Sequence, residues 1–158
     1  MEQFQLKAIG KVQVDDHGMK LVLDKAYIPA ITNLADFRYI QVLWWFDKYD
    51  KAESRAKLIE NNPYKNAPER LGTFATRSPE RPNPIGVTCG YVTYVDYPKG
   101  IVGLAYIDAD NGTPVLDIKP YIPSLDRVEK PQMPKWCSNW PKNVEESGEF
   151  DWSTVFNF

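Results

Sequence analysis

Gly72-Thr-Phe-Ala-Thr-Arg-Ser-Pro-Glu-Arg-Pro-Asn-Pro-Ile-Gly-Val-Thr-Cys-Gly90 is the stretch from which the rest of this chain can be read. Ser78, Arg81 and Asn83 each precede a proline, which biases them away from helix toward extended backbone. Pro79, Pro82 and Pro84 have fixed φ and little freedom left to lose on ordering. The loop is therefore rigid before any ligand arrives, as a binding loop should be. Beyond it, strand-like apolar runs cover 85–97, 101–107 and 113–118. Pro98-Lys-Gly100 and Asp110-Asn-Gly112 separate these runs, and the second turn reads as a type I′ hairpin.

Toward the N-terminus, the nearly continuous apolar run 34–46 ends in Val42-Leu-Trp-Trp-Phe46, which reads as a central strand buried on both faces. Residues 51–60 are rich in helix formers and stop at Asn61-Asn-Pro63, as a short surface helix would. Phe4, Leu6, Ala8, Val12 and Val14 alternate, with a register change near Gly10. After Asp15-Asp-His-Gly18 comes a second alternation at Met19, Leu21 and Leu23, giving an opening hairpin. Many short strands with little helix indicate an all-β barrel or sandwich. The sequence divides into a barrel domain over 1–130 and a Trp- and Pro-rich tail over 131–158. That tail is expected to pack on the barrel through Trp136, Trp140, Trp152 and Phe156.

The chain has 158 residues, 43% hydrophobic and 25% charged, with a net charge of −2. These values fit one soluble domain with a real core and argue against a wholly basic nucleic-acid binder. No apolar run approaches the roughly 20 residues of a membrane helix. The start, Met1-Glu-Gln-Phe-Gln-Leu6, lacks the regions of a signal peptide, so a cytoplasmic protein is expected. His17 is the single histidine, and Cys89 and Cys137 are the two cysteines. That inventory argues against a histidine-based nucleophilic unit and a zinc site, and no metal is expected.

Two groups of residues carry candidate chemistry. Arg77, Ser78, Arg81, Asn83 and Gly86 lie in the proline loop. A guanidinium grips a carboxylate or phosphate in two places, an amide both donates and accepts, and glycine admits close approach to the backbone. The same residues also suit an ordinary surface loop with weak ion pairs. Asp117 and Lys119 alternate on a strand and share a face, either as a salt bridge or as a polar floor beside the loop.

Phe74-Ala-Thr-Arg-Ser-Pro-Glu-Arg-Pro-Asn-Pro-Ile-Gly86 and Asp110-Asn-Gly-Thr-Pro-Val-Leu-Asp-Ile-Lys-Pro-Tyr121 resemble, in order, the two signatures of the TsaA-like (TrmO-type) family. The resemblance implies a single-sheet β-barrel that binds S-adenosylmethionine, and a homodimer with cofactor sites near the subunit interface. The reaction it implies is methyl transfer to N6 of threonylcarbamoyladenosine, next to the anticodon of tRNA. It implies cofactor contacts at Arg77, the backbone of Val87, the strand Ala105, Tyr106, Ile107 and Asp108, and the segment Phe46, Asp47 and Lys48. Asp47 stands where the family usually has histidine. An Arg-Gln-Pro-Gly loop used at the cofactor has no counterpart here, and the Trp-rich tail takes the place of a C-terminal tRNA-holding domain.

Within that reading Asp117 is the first candidate for a general base and Asp108 the second. Arg77 is expected to hold a carboxylate of cofactor or substrate. Arg81, Lys119 and Arg127 are expected to meet phosphates, with Tyr121 beside them on the substrate side. The competing readings are a non-catalytic dimeric module that binds S-adenosylmethionine or another adenine ligand, and an RNA-binding protein without cofactor.

Overall fold

The computed structural model describes residues 2–157. Its strands are β1 (Gly10–Asp15), β2 (Gly18–Leu23), β3 (Tyr39–Trp45), β4 (Ile59–Asn61), β5 (Arg70–Gly72), β6 (Ile85–Asp96), β7 (Ile101–Leu104) and β8 (Pro114–Pro120). Six of them close into a barrel in the order β1-β2-β7-β6-β3-β8, every pair antiparallel. Closure leaves no open sheet edge, and alternate side chains of each strand fill the interior. Val12, Leu21, Ile40, Val42, Val102 and Val115 form its centre, each at most 1% exposed. The all-β barrel expected from the sequence is the fold observed.

Several local expectations change. β3 is not buried on both faces: Ile40, Val42 and Trp44 point inward, and the residues between them are partly exposed, because a barrel strand has one inner face. Residues 34–36 form a single 3-10 turn ahead of it. The helix expected over 51–60 is one turn, Ala52–Arg55, after which Ile59 enters β4. Pairing begins at Gly10, so Phe4 and Leu6 lie outside the barrel and are well exposed. Gly10, the first residue of β1, lies too close to β2 for a side chain: a Cβ there would lie 2.3 Å from the Val22 carbonyl oxygen.

The Asp15-Gly18 turn is a hairpin as expected. The Asp110-Gly112 turn is not. β7 pairs with β2 and β6, whereas β8 pairs with β1 and β3, so the turn joins strands that are not neighbours. Of its three residues only Gly112 takes a positive φ, +88°, where a type I′ turn requires two. The turn is fastened to β1 instead: Val14 N–H donates to Asn111 Oδ1 at 2.9 Å and Gly112 N–H to the Val12 carbonyl at 2.8 Å.

Between β3 and β6 the chain makes a long excursion containing the β4–β5 ribbon and the proline loop. The C-terminal tail meets this excursion. Tyr64 stacks on Trp136, and Trp140 and Phe156 pack against the same ring. Contacts of this kind contribute about 0.5–1.5 kcal/mol each beyond simple burial. The tail also comes near the barrel at Tyr39, whose pKa is pushed up first by burial and then by the Glu145 carboxylate.

Candidate functional site

A cleft of about 350 Å³ opens at the end of the barrel where β3 and β7 finish and β2 and β8 begin. Phe46, Asp47, Lys48 and Tyr49, which follow β3, form one wall. Tyr106, Ile107, Asp108, Ala109 and Asp110, which follow β7, form the other, and Trp44, Met19, Thr113 and Pro79 complete it. Both walls are fixed from behind. Phe46 N–H donates to the Pro84 carbonyl at 2.8 Å and the Phe46 ring sits edge-on to Trp44 at 4.3 Å. Ile107 is buried, and its N–H donates to Met19 Sδ at 3.3 Å.

An exposed ion pair, Lys48 Nζ to Asp110 Oδ2 at 2.7 Å, spans the two walls. The Asp110 carboxylate raises the Lys48 pKa above its ordinary value. Tyr106 is pushed up as well, first by burial and then by Asp108, whose Oδ1 accepts from the Tyr106 hydroxyl at 3.4 Å. Three carboxylates, Asp47, Asp108 and Asp110, thus face a single ammonium, beside the rings of Phe46, Tyr49 and Tyr106. Such a cleft favours a cationic, partly aromatic ligand.

The expected site residues divide into those at the cleft and those elsewhere. Phe46, Asp47, Lys48, Tyr106, Ile107 and Asp108 line it. Ala105 precedes the second wall, with its N–H on the Tyr91 carbonyl at 3.0 Å. Of the proline loop only Pro79 reaches the cleft; Arg77 and Asn83 are exposed. Arg81 does not offer its guanidinium outward. Its Nη2 donates to the carbonyls of Thr73, at 3.0 Å, and Thr76, at 2.8 Å, tying the loop to itself. Ser78 Oγ accepts from Glu80 N–H at 3.3 Å, another bond within the loop.

Gly86 serves packing rather than ligand approach, since a Cβ there would lie 2.5 Å from the Trp44 ring. Val87 is exposed on the outer face of β6. Asp117 and Lys119 pair at 2.7 Å on the outer face of β8 and do not line the cleft. β8 borders β3 rather than β6, so they form no floor beside the loop. Tyr121 packs edge-on to Tyr39 at 6.4 Å, and Arg127 is exposed, 4.0 Å from Glu129. Asp110, Tyr49, Met19 and Thr113 belong to the cleft without having been expected there. Lys48 and Asp110 lie 62 positions apart, and no local pattern joins them.

The chain matches the family model for the tRNA-methyltransferase O N-terminal domain over residues 9–127. A probable S-adenosyl-L-methionine-binding protein of Methanocaldococcus jannaschii is 36% identical over 124 residues, 78% of this chain and 96% of that protein. The human tRNA (adenine(37)-N6)-methyltransferase is 36% identical over 105 residues, 66% of this chain but 23% of that enzyme. A crystal structure of TrmO superposes with a TM-score of 0.64 at 26% identity, over 84% of this chain and 61% of that one. The TrmO structure from Pseudomonas aeruginosa, at 24% identity, has a TM-score of 0.65, covers 85% of this chain and 62% of its own, and bears on the fold alone. This chain therefore spans less than two thirds of the solved structures it resembles. By the match over 9–127, it belongs to the family of the tRNA-methyltransferase O N-terminal domain.

Proposed function

We propose that this chain binds S-adenosylmethionine in the barrel-end cleft and transfers its methyl group to N6 of threonylcarbamoyladenosine beside the tRNA anticodon, acting as a homodimer in the cytoplasm. The observation that carries the reading is the coincidence of two things. The family match spans residues 9–127, and the cleft lies within it, lined by the two segments the resemblance marks for the cofactor, Phe46–Lys48 and Tyr106–Asp108. The donor set fits the cofactor. Carboxylates suit ribose hydroxyls and a positive sulfur, and ring faces suit both adenine and a sulfonium.

When bound, the cofactor supplies an electrophilic methyl group on a sulfonium sulfur. The protein's part is orientation, which removes several kcal/mol of barrier. The N6 nitrogen is a weak nucleophile because the carbamoyl group draws on its lone pair, so a carboxylate that accepts its proton assists. Asp117 faces away from the cleft in its pair with Lys119, so the base role passes to Asp108. The Asp108 carboxylate already accepts a proton donor, the Tyr106 hydroxyl. Arg77, exposed and two residues from the cleft-lining Pro79, is the cation available for a carboxylate.

A second reading has its own support: the relative covered almost completely is named for binding S-adenosylmethionine, not for a reaction. Calorimetry with S-adenosylmethionine and a methyl-transfer assay on threonylcarbamoylated tRNA separate the two. Binding with turnover is expected. Asp108→Asn should lower kcat by about 100-fold or more, a loss well beyond any fall in cofactor affinity from the removed charge. Binding without turnover leaves the non-catalytic module, and no binding heat at high cofactor concentration removes both readings.

A further inference from the structure

We propose that Arg55 is a positioning residue that fixes the cleft wall formed by residues 46–49 and ties it to the proline loop. Those four residues leave β3 at Trp45 and run into Asp50, and Arg55 touches the residue at each end. Its Nε donates to Asp50 Oδ1 at 2.6 Å. Its guanidinium carbon lies 5.5 Å from the centre of the Trp45 ring, within reach of a cation–π contact. The second Asp50 oxygen, Oδ2, accepts from Trp45 Nε1 at 3.1 Å. Trp45, Asp50 and Arg55 thus close a triangle of contacts at the base of the wall. The bond from Arg55 is the first cause that holds the Asp50 carboxyl below its ordinary pKa.

The same guanidinium reaches the proline loop, 27 positions away, where Nη1 donates to the Pro82 carbonyl at 3.1 Å. A guanidinium carries its donors at fixed angles in one plane, so a single group spans the carboxylate and the carbonyl. Two residues beyond Pro82, the Pro84 carbonyl accepts from Phe46 N–H at 2.8 Å. Wall and loop are therefore joined by a main-chain bond at Phe46 and by a side-chain bond from Arg55. Neighbours of Arg55 hold the loop next to Pro79, its one residue in the cleft lining: Ser54 Oγ donates to Glu80 Oε1 at 3.4 Å, and Lys57 pairs with Glu80. Arg55 itself does not line the cleft, so any effect it has there passes through the wall and the loop.

The clamp does not depend on the proposed reaction; that the wall it holds serves the cofactor rests on that reading. Amide hydrogen exchange on the full chain, with no ligand added, tests the clamp. Arg55→Met keeps an unbranched stem and removes every donor, whereas Asp50→Asn keeps the shape of the acceptor and removes its charge. The amides to follow are Phe46 on Pro84, Tyr49 on Phe46 and Ile85 on Asn83. All three should exchange about threefold to tenfold faster in Arg55→Met, with β1 and β2 unchanged. Asp50→Asn should quicken Tyr49 and leave Ile85 as it was, because the bond to Pro82 remains. Adding Asp50→Asn to Arg55→Met should quicken Tyr49 little further, since the two changes remove one shared contact. Unchanged exchange at these amides in Arg55→Met, fully additive effects, or acceleration spread evenly through the barrel overturns the proposal. Calorimetry with S-adenosylmethionine on the same proteins reads the consequence: Kd should rise by a similar factor in Arg55→Met. Faster exchange with an unmoved Kd overturns the positioning role. If the unaltered chain gives no heat while the exchange effect is present, the cofactor reading fails and the clamp stands.

Discussion

Replacing Gly86 by alanine tests the claim that a residue in the most diagnostic stretch of this chain is there for packing. The added Cβ would sit 2.5 Å, 2.6 Å and 2.7 Å from three atoms of the Trp44 indole. Neither partner yields easily. Gly86 and Trp44 are paired across β6 and β3, and Trp44 is 4% exposed with its Nε1 donating to Thr88 Oγ1 at 3.1 Å. Overpacking of a tight core costs about 1–3 kcal/mol. Turning the indole away adds about 1 kcal/mol for the lost hydrogen bond to Thr88. The expected loss is about 3 kcal/mol, or a fall in Tm of roughly 10 °C for a domain of this size. Trp44 and Phe46 also line the cleft and touch each other, so displacement of the indole should weaken cofactor binding beyond what reduced stability explains. Thermal denaturation followed by circular dichroism, with calorimetry well below Tm, reads both effects. A Gly86→Ala protein that melts within about 2 °C of the unaltered chain would refute the packing argument, because even one lost kcal/mol moves Tm that far.

Arg81→Lys keeps the charge but loses the longer reach and the planar NH2 group at Nη2 that serves both the Thr73 and the Thr76 carbonyl. Thermal denaturation should show a loss of about 2 kcal/mol, the scale of hydrogen bonds from a charged donor, whereas a purely ligand-binding arginine would leave Tm unmoved. Asp15 gives a test in pH. Its carboxylate receives the ammonium of Lys20 at 2.9 Å, the His17 N–H at 2.9 Å and the Gln13 amide at 2.7 Å, which lower its pKa from 3.8 to about 2. An acid depressed by folding contributes stability above its unfolded pKa and loses it as pH falls through the folded value. The contribution to the β1–β2 hairpin is therefore complete above about pH 4 and fades toward pH 2. Carboxyl resonances followed by NMR should place the Asp15 midpoint near 2, and Lys20→Met should move it up toward 3.8.

The barrel was legible where alternate residues of a strand are apolar and face inward, as Val12 and Val14 of β1 and Met19, Leu21 and Leu23 of β2 do. It was misread where an outward residue carries its own cover. Trp45 points away from the core, but Arg55 lies over its ring at 5.5 Å and Asp50 accepts its Nε1 proton at 3.1 Å. Side by side, Trp44 and Trp45 look equally buried in sequence. The Asp110-Asn-Gly112 turn shows a different limit: turn chemistry is local, whereas the pairing of the strands it joins is decided across the barrel. The same holds for the cleft. The residues at 46–48 and 106–108 were accessible through resemblance, but the Lys48–Asp110 pair that joins the walls exists only once the barrel closes. Donor inventories carry no direction, so Arg81 and Asp117 looked as suited to a ligand as Arg77 and Asp108.

The residues of the proline-loop signature chiefly serve the scaffold, and few of them reach the cleft. Thr73 and Thr76 are buried and held by Arg81, Pro84 is fully buried, and Gly86 makes room for Trp44. Each constraint belongs to the barrel and to the return of the long excursion into β6. A chain that keeps these residues keeps the scaffold, whatever the cleft then does. On the proposed reading the chemistry belongs to the two short walls of the cleft, whose side chains the loop does not dictate. The carboxylate at Asp47 faces the cleft in the position where the resemblance leads one to expect an imidazole. Its charge adds to that of Asp108 and Asp110, raising the preference for a cationic ligand while lowering that for an anionic one. Asp47→His should then weaken binding of S-adenosylmethionine relative to its neutral thioether product, measured by calorimetry on both. An unchanged ratio would mean that the carboxylate at position 47 does not face the sulfur.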